Sequence, residues 1–72
     1  MFMGPRPATL LRVEPFVVHG QQSWRLSYRL ESGEPGEAIL PPTAVHANPR
    51  AGDAVVLELL MGEAIAVRLA DG

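Results

Sequence analysis

Hydrophobic and polar side chains alternate most regularly over Trp24–Leu30, where Trp24, Leu26, Tyr28 and Leu30 fall on one side of an extended chain and Arg25, Ser27 and Arg29 on the other. That rhythm predicts a strand with one face buried. A shorter run of the same period covers Thr9–Glu14, with Leu11 and Val13 expected inward and Arg12 and Glu14 outward. Pro15 offers no N–H to a ladder, so the strand is expected to bend or bulge there before Phe16-Val17-Val18 resumes it. His19–Ser23 reads as a polar connector and Glu31–Gly36 as a turn cluster, while Glu37–Leu40 is a short strand stopped by Pro41-Pro42. A single 3₁₀ turn is expected within residues 42–46, and Asn48–Asp53 is a second turn.

The last third of the chain predicts a hairpin of Ala54–Leu59 and Glu63–Leu69. Its register must put apolar side chains on one face of both strands, because a slip of one residue turns a whole strand over. A two-residue loop at Met61-Gly62 would set Leu57 against Ala66. A three-residue loop, Leu60-Met61-Gly62, instead pairs Leu59 with Glu63, Leu57 with Ile65 and Val55 with Val67, and gives Gly62 the left-handed position. The three-residue loop is therefore expected, with Val55, Leu57, Ile65 and Val67 inside.

Seven prolines and seven glycines cut the chain into short pieces, none of which carries the length and 3.6-residue period of an amphipathic helix. The predicted fold is all-β: a small five-stranded antiparallel barrel, with residues 1–7 as an extended lead-in and residues 8–72 as a single β domain. Seventy-two residues exclude a second core, and the absence of cysteine excludes both a disulfide framework and a cysteine metal site. Packing or a partner must supply the rigidity instead. A net charge of -2, with Arg as the only basic side chain besides histidine, gives no long-range attraction for polyanions. The start lacks the apolar run of a signal peptide and nothing approaches a membrane span of about 20 apolar residues, so a cytoplasmic protein without a membrane partner is expected.

The run Ala38-Ile39-Leu40-Pro41-Pro42-Thr43-Ala44-Val45, followed by Gly52-Asp53-Ala54-Val55-Val56-Leu57, resembles the strand–proline–helical turn–strand passage of small Src-homology-3-like β-barrels, and is similar to short bacterial β proteins of unassigned function. The resemblance spans about half of the chain, and the same punctuation occurs in oligonucleotide/oligosaccharide-binding-like barrels. It implies architecture and transfers no functional residue. The longer first connection through Pro15 and His19 departs from the pattern.

Candidate chemistry is sparse. His19 and His46 both fall in expected connectors, at no spacing that brings metal ligands together. Ser23, Ser27 and Ser32 lie in no nucleophile elbow, and there is no phosphate-loop motif. The expectation is a protein that is not an enzyme and needs no cofactor or metal. Arg12, Arg25 and Arg29 should face outward from neighbouring strands, which would let them grip phosphates as a cationic stripe. Glu14 and Glu31, interleaved with them, point to ordinary cross-strand pairing.

The remaining signal is surplus apolar character on the last hairpin. Val56, Ala64 and Ala66, together with Ala54, are expected on its outward face, and Leu60 and Met61 stand at its tip. Contiguous exposed apolar surface marks an interface. The sequence thus points to a non-catalytic interaction module that self-associates as a homo-oligomer or contacts a partner protein through Val56, Leu60, Met61, Ala64 and Ala66. The alternative is weak single-stranded nucleic-acid binding through Arg12, Arg25 and Arg29.

Overall fold

The computed structural model describes residues 4–70. Five strands follow one another, β1 (Gly4–Val18), β2 (Gln21–Leu30), β3 (Pro35–Leu40), β4 (Ala54–Leu60) and β5 (Glu63–Leu69), with a 3₁₀ turn at Pro42–Ala44 between β3 and β4. They form one antiparallel sheet in the order β3-β2-β1-β4-β5. The all-β, five-stranded antiparallel expectation and the position of the 3₁₀ turn both match this architecture.

β1 is longer than the sequence suggested. Gly4–Pro7, expected as a lead-in, pairs with Leu59–Val56 of β4, while Met1–Met3 lie outside the described residues. The Pro7 carbonyl accepts from the Glu31 N–H at 3.0 Å, which places the polar backbone groups of Pro7 on the β2 side. By the two-residue period the missing N–H groups of Pro5 and Pro7 also point away from β4, so neither proline interrupts that ladder. Beyond Thr9, β1 has no β4 partner, and Pro15 occupies this stretch with one edge open. A proline is tolerated there.

The expected bend at Pro15 is replaced by a bulge four residues earlier. Leu10 pairs with Tyr28 and Arg12 with Ser27, which leaves Leu11 as the extra residue. This reverses the inward assignment of Leu11: Leu10 is fully buried, Leu11 is 46% exposed, and Val13 returns to the core side opposite Leu26. One inserted residue shifts the phase of the pleat, which a strict alternation cannot show.

The polar connector expected at His19–Ser23 shrinks to a two-residue turn. His19 and Gly20 both adopt left-handed φ, 48° and 77°, and Gln21, Gln22 and Ser23 pair with Val18, Val17 and Phe16. Positive φ at both central residues is the type I′ geometry, whose twist matches the flanking strands.

The last hairpin corrects the predicted register. Its loop has two residues, Met61 at φ 53° and Gly62 at φ 85°, and Leu60 pairs with Glu63. A bulge then restores the core: Leu59 faces Ala64, Glu58 faces Ala66, and the unpaired Ile65 is 50% exposed. Leu57 consequently meets Val67 and Val55 meets Leu69. The two-residue loop fails only in an unbroken ladder. Val55, Leu57 and Val67 are buried as expected; Ile65 is not, and Ala64, expected outward, packs against the core.

The core is built from Ala8, Leu10, Leu26, Tyr28, Leu30, Leu40, Val45, Val55, Leu57, Leu59 and Val67, with Trp24 packed at its margin. The expected inward face of Trp24–Leu30 is therefore present. Gly36 lies opposite Tyr28, and the phenol ring covers its backbone so closely that a Cβ at this position would overlap the ring. Val45 and His46 run beside β5, where the His46 N–H donates to the Val67 carbonyl at 3.1 Å. β3 and β5 pack against each other, but no ladder joins them among the described residues, so the sheet is curled and unclosed where a closed barrel was expected.

Candidate interaction surfaces

Three sets of side chains carry the chemistry that the sequence singled out. The first is the outer side of the β4–β5 hairpin. Pairing Val56 with Arg68 and Glu58 with Ala66 puts these four on the face opposite Leu57 and Val67. Glu58 accepts from Arg68 Nη1 at 3.0 Å across this face. Leu60 and Met61 stand at the tip, 48% and 65% exposed, and the bulge adds Ile65 close to them. Of the five expected interface residues, Leu60 and Met61 are exposed, Val56 and Ala66 are half-buried, and Ala64 lies on the inner side. Sequence reasoning missed Ile65, because the signal for it, two apolar phases side by side in Ala64-Ile65-Ala66-Val67, reads as an outward alanine face until the bulge is known.

The second set is the arginine stripe. Arg12, Arg25 and Arg29 are all exposed on the outer side of β1 and β2. Arg25 stands opposite Glu14 and donates to Glu37 at 3.4 Å, while Glu37 also accepts from Ser27 Oγ at 3.4 Å. Such exposed pairs contribute about 0–1 kcal/mol each, but they neutralise the middle of the stripe. Trp24 and Tyr28 are turned to the inner face, where burial pushes the Tyr28 phenol upward from its ordinary pKa.

The third set is the loop between the 3₁₀ turn and β4. Asp53 accepts from the Arg50 N–H at 2.9 Å and faces His46 Nε2 at 3.0 Å. The hydrogen bond with His46, and next that from Arg50, holds the Asp53 carboxyl below the usual carboxylate range. The other ring nitrogen of His46, Nδ1, is buried with no hydrogen-bond partner among the described residues. The pair is the clasp of a loop whose Gly52 N–H donates to the Leu10 carbonyl at 2.7 Å and whose Asp53 carbonyl accepts from the Leu10 N–H at 2.9 Å. His19 lies far from it in the fold, at the β1–β2 turn. Among the described residues, no three His, Cys, Asp or Glu side chains gather as metal ligands, and no helix is long and apolar enough to cross a membrane.

Compared with known proteins, the chain matches no family model, no curated protein and no solved structure.

Proposed function

We propose that this chain is a non-catalytic interaction module whose last hairpin contacts another protein surface, a second copy of itself or a partner. The observation that carries the reading is the grouping of Leu60, Met61 and Ile65, three large apolar side chains between 48% and 65% exposed, at one end of a short hairpin. Covering such side chains stabilises by roughly 25 cal/mol per Å² of apolar area removed from water, and a small domain with a limited core gains from any partner that does so.

Of the two barrel types that the sequence resembles, the unclosed sheet, in which the long β1 is shared between β2 and β4, favours the partly open oligonucleotide/oligosaccharide-binding-like form. Architecture of this kind names no ligand by itself. The nucleic-acid reading has weaker support than the hairpin, because Arg25 is flanked by Glu14 and Glu37 and the aromatic side chains of β2 are packed inward.

The experiment is sedimentation across a range of concentrations for the wild type and for Leu60→Asp. The wild-type mass is expected to rise above 7.8 kDa with concentration, or with an added partner, and Leu60→Asp to lower the assembled mass while keeping the strand spectrum of the fold. A variant that folds and assembles like the wild type would remove the hairpin from the account.

A further inference from the structure

The seam where the sheet stays unclosed, between β3 and the start of β5, holds a notch of about 360 Å³, the size of a small-ligand site. Glu37, Ala38 and Ile39 of β3 form one wall, and Glu63 and Ala64 of β5 the other. Ala38 and Ala64 pack against the core, whereas Glu37, Ile39 and Glu63 are exposed at the rim. Each wall therefore brings one carboxylate to the mouth, and no basic side chain lines the notch. Arg25 and Ser27 hold Glu37 only at 3.4 Å each, well beyond the roughly 2.7–2.9 Å of a strong charged hydrogen bond. Glu63 has no ion pair among the described residues. The third polar group is Tyr28, which is 7% exposed and lines the notch with its hydroxyl end against the Gly36 backbone. That hydroxyl has no hydrogen-bond partner among the described residues, so its oxygen gains from any donor that enters the notch. A rim of one charge sign beside an unpartnered acceptor suits a cation with several donors.

We propose that this notch receives the arginine side chain of a partner protein. A guanidinium group spreads five N–H donors over a plane, which lets it serve the carboxylates of both walls and the phenol oxygen together, and it is less strongly hydrated than an ammonium. Its aliphatic stem lies along Ala38, Ile39 and Ala64. A hydrated metal ion would use the carboxylates but gain nothing from that aliphatic surface. An anion, the phosphate of a nucleic acid included, would meet two carboxylates. Glu63 and Ala64 lie between Met61 and Ile65 in the chain, so a protein seated on the hairpin tip also passes the mouth of the notch. The choice of a protein as carrier rests on the hairpin reading proposed above, whereas the choice of a guanidinium rests on the notch alone.

The test is an NMR titration of the full chain, at low salt, with three blocked tripeptides: Gly-Arg-Gly, the same peptide with Lys for Arg, and the same peptide with citrulline, which keeps the shape of arginine without its charge. The Arg peptide is expected to bind saturably and to move the amide signals of Tyr28, Ala38, Glu63 and Ala64. The Lys peptide should bind less tightly, and the citrulline peptide at least roughly tenfold more weakly, the worth of one charge-assisted hydrogen bond. Glu63→Gln should weaken the Arg peptide by a similar factor with an unchanged melting temperature, and Tyr28→Phe, which keeps the ring over Gly36, should weaken it severalfold. Leu60→Ser, which shortens the apolar tip without adding a charge, should bind the peptide as the wild type does while its assembled mass falls, so the notch and the hairpin contact are read separately. Absence of saturable binding, equal binding of the citrulline or the Lys peptide, or full affinity in both Glu63→Gln and Tyr28→Phe would each overturn the proposal and leave the hairpin contact standing.

Discussion

His19 is a non-glycine residue held at φ 48° in the first position of a type I′ turn, a conformation that costs an ordinary L-residue about 1 kcal/mol or more and that asparagine tolerates best. His19→Asn should therefore stabilise the fold by about 0.5–1 kcal/mol, seen as a rise of a few degrees in melting temperature. No rise, with the turn intact, would mean that the imidazole contributes a contact that offsets the strain. Asp53 sets a pH dependence at the same scale. Its folded carboxyl titrates below the unfolded one, so its contribution is complete above the ordinary carboxylate pKa of about 4 and is lost as the pH falls through the lower folded value. Asp53→Asn should melt below the wild type at neutral pH, and the gap should narrow on acidification below about pH 4. A gap of constant size at every pH would show that the clasp works by shape and not by charge.

At the scale of strands, the close cover of Tyr28 over Gly36 joins β2 to β3 at a point where no side chain fits. Gly36→Ala must displace the ring or the strand and is expected to cost about 1–3 kcal/mol, as overpacking does; a denaturation midpoint equal to that of the wild type would refute the contact. This is also the scale at which sequence reading succeeds and fails for physical reasons. The Trp24–Leu30 strand is legible because its ladder to β1 takes up the irregularity on the other side, leaving an unbroken period of two. β1 and β5 are not, because each holds an inserted residue that reverses the pleat partway along. The Leu10-Leu11 and Ala64-Ile65-Ala66 neighbours carry apolar side chains in both phases, so either phase satisfies a pattern search. Only the partner strand decides: Tyr28 and Leu26 select Leu10 and Val13 on β1, and Leu57 selects Val67 on β5. The candidate hairpin surface was legible in Leu60 and Met61, which lie at a turn under any register, and illegible in Ile65, whose exposure depends on the bulge.

For the whole molecule, both bulges have the same consequence: each preserves the core by expelling one large aliphatic residue to the surface, Leu11 on one half of the sheet and Ile65 on the other. In a regular ladder, keeping Leu11 inside would turn Ala8 and Leu10 outward, and keeping Ile65 inside would turn Ala64 outward. The exposed pair is thus tied to the packing of the fold, and Ile65 joins Leu60 and Met61 on the proposed protein-contacting surface. The most direct measurement of the central claim is a concentration series of amide NMR spectra on the wild-type chain. The account predicts that signals from Leu60, Met61, Ile65 and Ala66 shift together as the concentration rises, and that they stop shifting in Leu60→Asp. Shifts confined to Phe16 and Val17 on the β1–β2 hairpin, with the β4–β5 tip unmoved, would contradict it.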